Sequence, residues 1–159
     1  MLRENKLERA LPHEIEKQPV LTLPRCEDAD FSSAMGTSSF QNLALRGDMM
    51  KEGCTFLSRM APGAIAPWHW HTHTEELVVL KGTIVAHLEG QDPVRVEAGG
   101  YSQLPGKHIH RFRCTDEGEC LVFVVDEGPF DLHWVDTKGN EISEEEANRR
   151  ALEEGTEGW

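Results

Sequence analysis

From Phe40 to Asp136 the chain alternates apolar and polar residues in short runs, and Gly, Pro or Asp interrupts them at regular intervals. A period of two over four to seven residues is the mark of a strand with one face turned inward. The runs predict strands over Gln41–Arg46, Cys54–Met60, Ile65–His71, Glu75–Lys81, Thr83–Leu88, Val94–Glu97, Tyr101–Leu104, His108–Arg113, Cys120–Val125 and Leu132–Asp136. Many short strands joined by turns imply an all-β sandwich or barrel. The pattern changes after Asn140. Ser143 followed by Glu146 makes a capping box, residues 144–154 are rich in helix formers, and Gly155 stands at the exit, so a short C-terminal helix is predicted. Its only apolar positions are Ala147, Ala151 and Leu152, too few for more than a light contact with the barrel or with a partner subunit. Residues 1–35 carry three prolines and no sustained period, which suggests an extended or partly helical arm. Three regions result: an arm over 1–35 that packs on the barrel or on a partner subunit, a barrel over 36–137, and a helix with an acidic tail over 138–159.

Composition narrows the partners. The 159 residues suit one domain, large enough to bury a core without cross-links. A net charge of −12 repels nucleic acid and anionic membranes, so neither is expected as a partner. Part of that charge is a solvated tail, because seven glutamates lie between Glu141 and Trp159. The longest apolar run, Cys120 to Val125, is far short of the roughly 20 residues that span a bilayer. The start, Met1 to Lys6, mixes charges and leads into no secretion-type apolar stretch, and a cytoplasmic location is expected. Cys26, Cys54, Cys114 and Cys120 have no Cys-x-x-Cys spacing and are expected as thiols. Cys114 and Cys120 flank a five-residue loop across which they could face each other.

The chemistry lies between Gly63 and Gly82. There the chain reads Gly63, five residues, His69-Trp70-His71, three residues, Glu75, six residues, Gly82. In a strand, His69 and His71 point the same way with Cα atoms about 6.6 Å apart. Rings at that separation can converge on one ion through bonds of roughly 2.0–2.1 Å. In an unbroken strand Glu75 would lie roughly 20 Å from His69. A turn within Thr72-His73-Thr74 must bring it back as the first residue of the next strand. A third imidazole is available some forty residues later, in Pro105-Gly106-Lys107-His108-Ile109-His110. Imidazoles with one carboxylate suit a divalent transition metal rather than an all-oxygen calcium or magnesium cage. Imidazoles bind metal only when neutral, so metal is expected to leave as pH falls through about 6.

The two segments also resemble a known family. Gly63-x5-His69-x-His71-x3-Glu75-x6-Gly82 is similar to the first motif of the cupin superfamily at every defined position. Gly99-x5-Pro105-x-Lys107-x2-His110-x3-Cys114 resembles the second, with Lys107 where the family usually has Gly and Cys114 where it usually has Asn. The resemblance implies a jelly-roll barrel holding one metal ion per chain on His69, His71, Glu75 and His110, with Fe(II) as the first expectation and Mn, Ni, Zn or Cu as alternatives. The motif spacing favours the pair His69 and His71 over His71 and His73, and His108 is expected near the barrel mouth. An open site of three His and one Glu resembles those of small cupin dioxygenases that cleave carbonyl or phenolic substrates, with Glu75 as ligand or, when displaced, as base. Phe112, by parity with His110, and Tyr101 and Gln103 on the preceding strand are nominated as substrate-binding residues. The expected partners are a small-molecule substrate, dioxygen and a second copy in a homodimer. A metal-dependent isomerase, lyase or decarboxylase, or a non-enzymatic sensor module, are the alternative readings of the same scaffold.

Overall fold

A computed structural model of the chain describes residues 21–155 and 159. Its strands are β1 (Met35–Gly36), β2 (Phe40–Arg46), β3 (Cys54–Met60), β4 (Ile65–Trp70), β5 (Glu75–Lys81), β6 (Thr83–Leu88), β7 (Val94–Glu97), β8 (Tyr101–Leu104), β9 (His110–Cys114), β10 (Cys120–Asp126) and β11 (His133–Trp134). They form two sheets, ordered β1-β2-β3-β10-β5-β8 and β11-β4-β9-β6-β7, and the paired strands run antiparallel. This is the all-β barrel expected from the alternation, in the jelly-roll form that the resemblance implied. One α-helix, α1 (Glu144–Glu154), follows, with Ser143 accepting a hydrogen bond from the Glu146 backbone N–H at its start. Among the described residues no helix is long and apolar enough to cross a membrane.

Strand β10 shows why the apolar pattern is what it is. It lies between β3 and β5, and Cys120, Val122 and Val124 face the interior with Phe56, Leu77, Val79 and Phe112. Its other face is covered as well. Leu121 and Phe123 pack beneath Ala29 and Phe31, in a second cluster that includes the fully buried Leu57. A strand covered on both sides has no position left for a polar residue, hence the unbroken run Cys120 to Val125. Removing a side chain the size of Leu57 from water contributes roughly 1.5–3 kcal/mol. Residues 1–20 of the expected arm lie outside the described residues, and 21–34 lie over this outer face.

Two local irregularities aim the site. In β4, Ala66 pairs with Phe112 and His69 with His110, so β4 carries one more residue than β9 between those pairs. The bulge contains Pro67, which has no N–H to give to a ladder. By shifting the phase it turns Ala66 and His69 into the same cavity. The second irregularity is the loop between β8 and β9. A Cβ on Gly106 would stand 2.6 Å from the Thr72 carbonyl oxygen, and the Lys107 N–H donates to the His71 carbonyl at 2.7 Å. Lys107 sits at φ 65, in the left-handed region that costs an L-residue about 1–2 kcal/mol. That conformation is the reason glycine is usual at this position.

Candidate metal centre

Three imidazoles converge where the two sheets face each other. His69 lies near the end of β4 and His110 opens β9, as direct cross-strand partners with ring centroids 4.3 Å apart. His71 follows one residue after β4, its ring centroid 4.9 Å from that of His69 and 5.2 Å from that of His110. Each ring is oriented by a main-chain carbonyl. His69 Nδ1 meets the Pro67 oxygen at 2.6 Å, His71 Nδ1 the Asp131 oxygen at 2.5 Å, and His110 Nδ1 the His108 oxygen at 2.8 Å. A carbonyl only accepts, so each Nδ1 carries the proton and each Nε2 keeps a free lone pair. The three donor atoms lie within 4.8 Å of one another, and the buried Nε2 of His110 has no hydrogen-bond partner. An orphaned nitrogen of that kind is costly unless an ion takes it up. The donor set therefore fits a metal ion, and His69, His71 and His110 could hold one.

Glu75 comes in from the opposite sheet. A turn at residues 72–73, fixed by the Thr72 N–H donating to the Asp131 carboxylate at 2.8 Å, reverses the chain so that Glu75 opens β5. Its Oε2 lies 3.7 Å from His71 Nε2. Burial pushes its carboxyl up to about 7. Burial also lowers the imidazoles: His110 falls to about 3 and His69 well below its ordinary value, each pressed further by its neighbouring rings, while for His71 the Asp131 carbonyl partly offsets the effect. By itself the cluster is thus close to neutral, and a dication would bring the charge that draws Glu75 into its ionised form.

Asp126 is a residue the sequence pattern did not single out. It ends β10 directly opposite Glu75 on β5 and Cys54 on β3, so two carboxyls face the interior side by side. Burial and then the charge of Glu75 push Asp126 up to about 7, and the Cys54 thiol donates to it at 3.9 Å. Continuing the alternation of Val122 and Val124 by one step would have placed it inward. Trp134 was missed as well. Its ring centroid lies 5.2 Å from that of His69, brought there by the pairing of β11 with β4.

The remaining candidates divide. Phe112 lines the cavity, its ring centroid 5.3 Å from that of His110. Tyr101 and Gln103 do not: both are exposed, and Gln103 donates to Glu76 on the outside of the barrel. Tyr101 and Gln103 stand an odd number of residues before His110 and so fall on the outer face, whereas Leu104, six residues before it, is the inward residue of β8 opposite Glu75. His108 supplies only its carbonyl, and its ring stays out of the cluster. His73 sits exposed on the turn, its ring against Gly128. Strand β4 ends at Trp70 and β9 starts at His110, so His71 and His108, predicted as strand residues, lie just outside the strands. Trp68 and Trp70 pack away from the cavity, against Arg111 and His133. At the other end of the barrel the Cys114 and Cys120 sulfurs lie 2.6 Å apart, and both cysteines are free.

His69 and His71 open on a cavity of about 750 Å³, with His110 buried behind them. Phe56, Phe112, Phe130 and Trp134 form much of its wall, and Met35, Met50, Leu132 and Leu152 stand at its mouth.

Two antiparallel sheets closed around an inward imidazole cluster define a cupin-type barrel, and the cupin domain family matches residues 56–126. The match over the centre of the barrel and the likeness of fold support a cupin superfamily member. No curated protein matches the sequence. Among solved structures, a cupin-like protein from Thermotoga maritima is similar at 19% identity and a TM-score of 0.59, over 83% of this chain and 98% of that one. DMSP lyase DddQ from Ruegeria pomeroyi is similar at 20% identity and a TM-score of 0.55, over 72% of this chain and 61% of the lyase. A further structure, from work on the DMSP lyases RdDddP and RnDddQII, gives 20% identity and a TM-score of 0.54, over 61% of this chain and 53% of that one. The chain thus spans between about half and three-fifths of the lyases it matches. At such identities the likeness is one of fold.

Proposed function

We propose that the protein is a metal-dependent dioxygenase that cleaves a small carbonyl or phenolic substrate, with the ion on His69, His71, His110 and Glu75. The observation that carries this reading is a set of three preoriented imidazoles with Glu75 beside them, of which His69, His71 and Glu75 line a cavity wide enough to admit a substrate to the ion. A divalent ion there would supply Lewis acidity toward a substrate oxygen and, if redox-active such as Fe(II), electrons for dioxygen. The protein's own part follows from the residues around it. Glu75, poised near neutrality, takes the proton from an enolisable carbon or a phenol as the substrate binds. Phe56, Phe112 and Phe130 keep bulk water from the reacting atoms.

The test is oxygen consumption by iron-loaded protein given 1-phenylbutane-1,3-dione or an ortho-hydroxyphenyl ketone. Uptake that depends on substrate and vanishes in His110→Ala supports the reading. Cleavage or isomerisation without oxygen uptake favours a lyase or isomerase instead. The carboxyl pair Glu75 and Asp126 supports that second reading, since both groups stand near neutrality as a proton acceptor requires, and DMSP lyases are among its neighbours in fold. Tight ligand binding without turnover of any kind would leave the sensor reading. We further propose a homodimer working in the cytoplasm; light scattering on the purified protein reads its mass directly.

A further inference from the structure

Among the described residues, no lysine or arginine lines the cavity, and its charged members are the acids Glu75, Asp131 and Glu144. The cations next in sequence to the lining residues Met50, Asn148 and Ala151 are paired with acids: Lys51 binds Asp48, and Arg149 and Arg150 bind Glu146. The walls beyond the imidazoles are aromatic and aliphatic, contributed by Phe40, Phe56, Phe112, Phe130 and Trp134. The apolar character continues outward, for Met35, Met50, Leu132 and Leu152 line the mouth and are exposed. A volume of about 750 Å³ is in the range of sites that enclose drug-sized ligands. A two-carbon acid would leave most of it as water against phenyl rings.

We infer that the substrate has two parts: an oxygen-bearing head that reaches the imidazole cluster, and an uncharged aromatic or branched apolar body that fills the cavity out to Met50 and Leu152. The inference deepens the proposed function and rests on it for the head alone. For the body the argument is one of charge. A carboxylate carried into this wall finds no cation and meets acids, so its desolvation goes uncompensated. The protein's net charge of −12 adds a long-range penalty of the same sign. Selection therefore acts on the part of the substrate remote from the metal.

A matched pair of ligands isolates that part. Zinc-loaded protein, which has no oxygen chemistry, is titrated calorimetrically with 1-phenylbutane-1,3-dione and with its para-carboxylate, which share the diketone head. The neutral diketone is expected to bind at least tenfold more tightly. Equal or tighter binding of the carboxylate overturns the inference, and so does failure of both to bind. Met50 is 64% exposed, so Met50→Lys leaves the fold intact and places a cation at the mouth. It is expected to shrink the ratio at least threefold; an unchanged ratio overturns the placement of the body. Absence of oxygen uptake by the iron-loaded protein with the same neutral diketone, alongside an intact binding ratio, would remove the oxygenase reading and leave this one standing.

Discussion

The two sheets contribute opposite chemistry to the site. The five-stranded sheet holds His69 and His110 on paired strands, with His71 just beyond, and each ring is tied to a carbonyl of the main chain. The six-stranded sheet holds Glu75 and Asp126 on paired strands, and among the described residues no hydrogen bond ties down the Glu75 carboxyl. The nitrogen side is rigid and already in its metal-binding tautomer. The carboxyl side is adjustable in position and in charge. A site divided in this way fixes where an ion sits with one sheet and tunes its charge with the other.

The most severe break of this division removes a rigid donor. His110→Ala should lower metal affinity by more than the roughly 100-fold typical of losing an outer hydrogen-bond partner, and elemental analysis of the purified variant would show an empty site. A variant that retains full metal would mean that the imidazole trio is not the anchor.

Removing the adjustable group should act in a different currency. Glu75 is raised from 4.5 to about 7 in the fold, so its ionisation opposes folding above pH 7 and has no effect below about 4.5. Glu75→Gln should therefore stabilise the metal-free protein at pH 8 by on the order of 3 kcal/mol, with the gain gone at pH 4. Urea denaturation of chelator-treated protein at both pH values checks this; a gain that persists in acid would assign it to packing instead.

The same contrast sets the pH dependence of metal binding. Three imidazoles of ordinary basicity would each give up a proton near pH 6, and affinity would fall steeply there. With the rings held neutral by burial and Glu75 near 7, the competing proton is on the carboxyl. Zinc affinity should change about tenfold per pH unit between pH 6.5 and 5, a slope near one. Calorimetric titration across that range decides the matter, since a slope near three would restore the imidazoles as the titrating side. His73→Ala should have the smallest effect, with metal content unchanged, because that ring lies outside both sets.

What could be read in advance follows from what is local. Strand and turn signals act over a few residues, and the bounds of β3, β5, β6, β7, β8 and α1 coincide with those predicted from alternation and capping. The turn that returns Glu75 was legible because distance alone demanded it. Asp126 was not, since its importance depends on β10 being inserted between β3 and β5, a matter of sheet order. Tyr101 and Gln103 were misplaced although alternation counted from His110 puts both outside and points Leu104 inward, as the structure has it. The bulge at Pro67 aims His69 in a way that simple alternation along β4 does not contain.

One feature of the cavity wall offers an optical handle. The chain has four tryptophans: Trp68 and Trp159 pack on Arg111, Trp70 stacks on His133, and Trp134 has its ring beside His69. A quenching ion such as Fe(II) or Cu(II) on the imidazoles would darken Trp134 far more than the other three. Loading could then be followed by intrinsic fluorescence without any label, and Trp134→Phe would abolish most of the signal while leaving the ion in place.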